Sequence, residues 1–318
     1  MTTLWVLLHV AAQRDYELHS LDFSTAFLHD SLHEEIWLRP PPGFTGSFPA
    51  GLHLGLGFAP STAVPSLFLR TNTSLPPLYV LMYVDDLVFA TADTEALTLV
   101  KSELQKRHTC TDLGPSALRF PVLLTTAHSS IFQPLALSST FGRVRTERCA
   151  AKRLLRYLCS TSGMGLVLGG RGLVVLTGHA DASWIDDSAT QRSSQGYTFS
   201  LGFGSVSWQS TRSSSVLSSS CEAEIYVGAM AAQELRWLTY LLTDLGEQPR
   251  SPPVLTKHIA LRYFLARELQ QRGQLRLAYV ATRANTADVF TKALPPGDHQ
   301  RFSTVLCLVH TLPHLLTA

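Results

Sequence analysis

Cysteine is scarce in this chain and follows no pattern. Cys110, Cys149, Cys159, Cys221 and Cys307 are odd in number and spread over 318 residues without a C-x-x-C pair. That excludes a zinc-ribbon or disulfide-dense scaffold and leaves a reducing compartment as the default. Twelve histidines show no H-E-x-x-H or other ligand spacing. Charged residues make up only 16% of the chain, with a net charge of +2. No apolar run reaches the ~18 residues of a membrane span. Leu4 to Ala12 has the length of a signal-peptide core but no basic region before it, so an intracellular protein (cytoplasm or nucleus) is expected. Cations are also missing from one long stretch: residues 45–77 contain Arg70 and no lysine. Gly51 to Pro60 is glycine-spaced, but no G-K-[ST] follows and no dinucleotide fingerprint is complete, so it reads as a loop.

What is present is dominated by acids set in apolar surroundings. Tyr83-Val84-Asp85-Asp86 lies between the apolar runs Leu78–Met82 and Leu87–Ala90. Apolar residues, an acidic break and more apolar residues read as a β-hairpin with carboxylates at its tip. Adjacent buried carboxylates repel and resist ionisation, a difficulty that a hard divalent cation removes. Taken alone, the four residues fit an exposed turn with ordinary acids equally well. Upstream come Leu21-Asp22-Phe23-Ser24-Thr25-Ala26-Phe27-Leu28, then Glu34-Glu35-Ile36-Trp37 and Pro40-Pro41-Pro42-Gly43-Phe44. Downstream an amphipathic segment, Thr94 to Arg107, leads into a Thr111-Asp112-Leu113-Gly114 turn.

The second half repeats the theme. Val174 to His179 is strand-like and runs into Ala180-Asp181-Ala182-Ser183-Trp184. Two more strands are expected at Gly196–Leu201 and Ser205–Trp208. Ser218-Ser219-Ser220 offers capping hydroxyls to a helix with Glu222 and Glu224 in its first turn, extending to Leu245 and ending at Gly246. Leu275 to Val280 is another strand, followed by Asn285-Thr286-Ala287-Asp288-Val289-Phe290-Thr291-Lys292, read as an A-D helix.

The ordered motifs of the first half resemble the reverse transcriptase of copia-type retrotransposons, and those of the second half resemble the ribonuclease H domain that ends their Pol polyproteins. The resemblance covers most of residues 1–305 and is weakest over about 115–150. It implies an α+β chain: a truncated palm-like reverse transcriptase region at 1–114, a shortened connection with a basic helix at 115–165, a ribonuclease H-like mixed-sheet domain at 166–305 that lacks one strand-helix segment, and a tail at 306–318. It implies Asp22, Asp85 and Asp86 as metal-binding catalytic acids of a nucleotidyltransferase, in which two Mg²⁺ ions roughly 3.5–4 Å apart serve phosphoryl transfer. In the ribonuclease half it implies Asp181, Glu224 and Asp288 as three of four metal-binding acids, with Asp187 and Glu222 as bystanders. The parental partners would be RNA, DNA and RNA–DNA hybrid, with no membrane partner.

The chain departs from this pattern in specific places. The stretch that helps bind the incoming nucleotide is replaced by the cation-poor residues 45–77, and a triphosphate needs cationic or backbone donors. The family's fingers elements lie before the helix-like Leu4–Arg14 and are expected to be missing. The connection between Asp112 and Arg143 is short. The fourth ribonuclease acid should end the strand begun by Pro252-Pro253-Val254-Leu255, yet the sequence continues Thr256-Lys257-His258-Ile259. Glu234, Asp244, Glu247 and Glu268 sit within or at the ends of helical patterns instead. Losing one ligand of a set that acts as a unit costs more than its share. Such sharp gaps resemble exon trimming or a decayed gene.

Charge is unevenly placed. Residues 1–110 hold 6 Lys/Arg and 11 Asp/Glu, whereas residues 111–170 hold 7 and 2. An acidic polymerase half is poorly built to hold a polyanion. Arg143, Arg145, Arg148, Lys152, Arg153 and Arg156 recur at helical spacing and form either a solvated helix face or a phosphate-contacting one. The expectation is therefore a fragment of a copia-type polyprotein whose polymerase and ribonuclease H activities are lost or crippled. The alternative is a host-adopted nucleic-acid-binding protein without catalysis.

Overall fold

The computed structural model describes residues 1–23, 57–70, 76–83, 86–115, 122–124, 152, 155–157, 159–161, 164–169, 175–186, 190–202, 204–247, 251–257 and 264–310. The chain is α+β and divides into two compact units, one of residues 14–118 and one combining residues 1–13 with 119–318. The first helix, α1 (Thr2–Arg14), was expected in the first domain but groups with the second unit. Trp5 through Ala12 are buried without a break, the pattern of a helix enclosed on all sides. Its Trp5 ring lies 5.9 Å from that of Trp208, and the ring of His9 accepts the Gly169 amide at 3.2 Å through Nδ1. Asp15, with φ of 57°, ends the helix.

In the unit of residues 14–118, strands β1 (Glu17–Phe23), β2 (Ala59–Pro60), β3 (Leu67–Arg70), β4 (Leu78–Tyr83), β5 (Asp86–Thr91) and β6 (Cys110–Pro115) form one antiparallel sheet in the order β2-β3-β4-β5-β1-β6. Helix α2 (Thr94–Arg107) starts where the Asp93 carboxylate accepts the Ala96 amide at 2.9 Å. Its apolar stripe of Leu97, Val100 and Leu104 packs on Leu21, Phe23, Leu78, Val80, Leu87 and Phe89. Alternation along the strands therefore sends Asp22 and Asp86 to the opposite face. The Thr111-to-Gly114 turn inferred from sequence is instead part of β6, an edge strand that pairs with β1 across a register shift between Ser20 and Leu21. Gly114 supplies the left-handed φ of 79° that lets the irregular strand pass.

In the other unit, β7 (Val122–Leu124), β8 (Met164–Leu168) and the late β14 (Leu308–His310) form a small antiparallel sheet; β14 falls in the segment read from sequence as a tail. The main sheet contains β9 (Leu176–Ser183), β10 (Ser194–Leu201), β11 (Ser205–Arg212), β12 (Val254–Lys257) and β13 (Arg276–Tyr279), in the order β11-β10-β9-β12-β13. The first three run antiparallel, and β12 and β13 are parallel to β9. Helix α3 (Ser220–Asp244) is capped by Ser219, with Glu222 accepting from the Ser218 amide and hydroxyl at 2.6 Å each. It packs on β9 and β10 through Ala223, Val227, Ala231 and Leu235. Two shorter helices, α4 (Phe264–Gln271) and α5 (Pro296–Val305), follow. The A-D helix expected within Asn285 to Lys292 is a five-residue 3-10 segment, Thr286–Phe290. Packing demands the absence of side chains at two sheet positions: a Cβ on Gly178 would come 2.2 Å from the Phe199 ring, and one on Gly196 would come 2.5 Å from Cβ of Phe290.

Burial lowers the His9 imidazole to about 4 from an ordinary 6.5. Below pH 6.5 the unfolded chain takes up a proton that the folded chain refuses. Stability conferred by neutral His9 is thus intact above about pH 6.5 and lost as pH falls toward 4, by up to ~3 kcal/mol. Asparagine can keep the acceptor for the Gly169 amide without titrating. His9→Asn is expected to flatten the decline in urea-unfolding stability between pH 6.5 and 4 relative to wild type.

Candidate acidic sites

In the sheet of residues 14–118, β1 and β5 place Asp22 directly opposite Asp86, and β4 and β5 place Tyr83 opposite Asp86. These three positions share one face at one end of the sheet. Asp22 is half-buried, while Asp86 and Tyr83 are exposed. Like charges in directly opposed positions destabilise a strand pair unless a cation or water separates them. Asp85 lies outside the described residues.

The other face carries a charge cluster that the sequence reading did not assign. Lys101 is buried on α2 and donates to Asp112 Oδ1 at 2.6 Å, with His19 Nδ1 at 3.0 Å. The Gly114 amide donates to the same Asp112 oxygen at 2.8 Å. Burial pushes the Asp112 carboxyl up, but Lys101 and the Gly114 amide outweigh it and hold the group below its ordinary value. Asp112 thus ties β6 to α2. The signal for Lys101 was its place one residue after Val100 on the apolar stripe.

In the second unit Asp181 lies near the end of β9, and Asp288 lies on the 3-10 segment. Both side chains are almost wholly buried. Lys292 Nζ sits between them, 3.1 Å from Asp181 Oδ2, 3.2 Å from Asp181 Oδ1 and 3.0 Å from Asp288 Oδ1. The Thr291 hydroxyl also donates to Asp181 Oδ2. Burial first, and the Asp181 charge second, raise the Asp288 carboxyl to about 6, with Lys292 opposing. Burial lowers the Lys292 ammonium, but the two carboxylates outweigh it and the net shift is upward. Glu224, at the start of α3, reaches the same strand end, where its Oε1 accepts the Ala182 amide at 3.3 Å.

The sequence reading quoted Thr291 and Lys292 but gave neither a role. The i, i+4 spacing from Asp288 to Lys292 was the available signal. Glu234 is a further, half-buried acid: it accepts from Ser207 Oγ at 2.5 Å, and desolvation raises its carboxyl. Burial also lowers the imidazole of His179, two residues before Asp181, to about 4; its Nδ1 lies 2.6 Å from Thr256 Oγ1.

The strand expected to deliver a fourth acid is β12. It pairs with β9 through Val254–Thr177, Leu255–Gly178 and Thr256–His179 and contains no carboxylate. Among the described residues, no three His, Cys, Asp or Glu side chains form a group able to hold a metal ion. The second site does not fit a magnesium pair as arranged, because an ammonium already bridges its two closest acids. Of the basic residues singled out, Lys152 and Arg156 are helical and exposed. Tyr157 turns the other way, its ring 5.7 Å from that of His299. Arg143, Arg145, Arg148 and Arg153 lie outside the described residues.

No protein-family model matches the chain. Curated relatives do. The retrovirus-related Pol polyproteins from transposons RE2 and RE1 of Arabidopsis thaliana are 27% and 26% identical to it, each over 98% of this chain. The corresponding polyprotein from transposon TNT 1-94 of Nicotiana tabacum is 25% identical over 93% of the chain. The chain is a relative of copia-type transposon Pol polyproteins. It spans 29% of the length of the RE2 and RE1 polyproteins and 31% of the TNT 1-94 polyprotein. The RE2 alignment extends over 423 residues while the chain has 318, so internal segments of that Pol relative have no counterpart here. No helix among the described residues is long and apolar enough to cross a membrane.

Asn285 fixes the Asp288 segment to the sheet. It is fully buried, donates from Nδ2 to the Ala180 carbonyl at 3.1 Å and accepts the Ala287 amide at 3.2 Å. Asn285→Ala is expected to cost roughly 2–3 kcal/mol in urea unfolding, since it removes both bonds and leaves buried groups unpaired.

Proposed function

We propose that this chain is a fragment of a copia-type Pol polyprotein, with a palm-like remnant followed by a ribonuclease H-like unit, and that its nuclease and polymerase chemistry is lost or severely impaired. The observation that carries the reading is β12. It lies beside β9, where a fourth acid would be needed, and reads Val-Leu-Thr-Lys. The lineage is supported by the opposed Asp22 and Asp86, and by three antiparallel strands, an acid-bearing helix and a later parallel strand that converge Asp181 and Asp288. The parental reactions would be RNA-directed DNA synthesis and cleavage of RNA in RNA–DNA hybrid, with Mg²⁺ held by Asp22, Asp85 and Asp86 and by Asp181, Glu224 and Asp288. Impairment is supported by the cation-poor residues 45–77 and by the shared lysine at the second site.

A second reading, nucleic-acid binding without turnover, is favoured by the exposed cations Lys152 and Arg156 one helical turn apart. Purified full-length chain, assayed with Mg²⁺ or Mn²⁺ for primer extension and hybrid cleavage, is expected to show no rate above that of Asp85→Asn or Asp181→Asn. A rate abolished by either substitution would overturn the impairment. Hybrid binding without turnover would support the second reading. In that case Lys152→Ala with Arg156→Ala should lower the slope of log affinity against log salt by about 1–2.

A further inference from the structure

The shared ammonium at the second site has a consequence for any cation arriving from solution. Asp181 and Asp288 come from different segments, yet both point at one Nζ, with all three ion-pair distances between 3.0 and 3.2 Å. Their side chains are 4% and 6% exposed, whereas that of Lys292 is 34% exposed. The lysine is therefore the member of the triad nearest to solvent. Thr291 occupies a further lone pair of Asp181, and one carboxylate oxygen of Glu224, Oε1, accepts the Ala182 amide.

We infer that Lys292 is a tethered counter-ion standing where a divalent cation would have to bind, and that it closes the Asp181–Asp288 pair of this chain to magnesium. A cation attached four residues from one of its partners competes at a high effective concentration, roughly millimolar or above. Mg²⁺ must in addition shed tightly held water and find near-octahedral oxygen ligands, and β12 supplies no further carboxylate. The ion-pair geometry stands by itself. The inference rests on the proposed ancestry only for the identity of the excluded ion.

The test is a Mn²⁺ titration of full-length chain, following free Mn²⁺ by electron paramagnetic resonance, with thermal unfolding in EDTA and in MgCl₂ as a second readout. Asp22, Asp85 and Asp86 are replaced by Asn throughout, so that the first unit contributes no binding. With Lys292 present, no site tighter than about 1 mM is expected, and the melting temperature should be the same in EDTA as in MgCl₂. Lys292→Met should melt lower in EDTA, recover in MgCl₂ and gain a Mn²⁺ site at least about tenfold tighter. Adding Asp181→Asn should remove that site. Unchanged or weaker Mn²⁺ binding in Lys292→Met overturns the inference. So does a stoichiometric sub-millimolar site with Lys292 intact that Asp181→Asn abolishes, and this measurement decides the matter if neither Lys292→Met nor Lys292→Gln folds. Metal binding and hybrid turnover are separate readouts, so failure here is distinct from failure of the impaired-enzyme reading.

Discussion

Two carboxylates taken out of water beside each other cannot both stay charged without a cation between them. In the second unit Lys292 supplies that cation, and the arrangement around it follows. The 3-10 segment must bring Asp288 to the end of β9. Gly196 has no side chain, so Phe290 can lie against β10. Ser210 then donates to the Phe290 carbonyl at 2.6 Å, and Asn285 holds the start of the segment on the Ala180 carbonyl. Each contact is modest. Together they fix a charge cluster whose members would otherwise repel.

The first unit handles its acids differently. Asp22 and Asp86 oppose each other at the rim of a sheet, where solvent reaches them, and the buried side of that sheet is filled by α2. The only buried lysine there, Lys101, is committed to Asp112 and His19 on the α2 side. Its role is structural: it joins an irregular edge strand to the helix above it. Alternation along a strand separates the two sets, because successive side chains leave on opposite faces.

The relationship to transposon Pol polyproteins runs along nearly the whole chain, while segments of those relatives have no counterpart in it. The sheet of the second unit is continuous through β12. β12 pairs with β9 and β13 by backbone hydrogen bonds, which are indifferent to side-chain identity, so Thr256 and Lys257 can continue a strand begun by Val254 and Leu255. Strand pairing therefore tolerates side-chain changes that a set of metal ligands, each needed at its own position, does not.

Much of the fold was legible because its signals are local. Apolar period and end residues marked Thr94–Arg107 and the Ser219-capped helix, and the apolar runs on either side of Asp85-Asp86 marked the hairpin. The D-L-G stretch was misread because its pairing partner, β1, lies some ninety residues earlier, and a glycine two residues after an aspartate imitates a turn. The A-D helix was misread because five residues pinned by Asn285 and Ser210 tighten into a 3-10 turn. By itself, the sequence determined the acids, their order and the lack of a carboxylate in Val254–Lys257, since these are properties of composition and spacing. Only the tertiary structure decided that Asp181 and Asp288 share a lysine, that α1 belongs with the later residues, and that Asp112 holds a buried partner. Such pairings depend on which distant segments pack together, and residue spacing along a chain does not encode that.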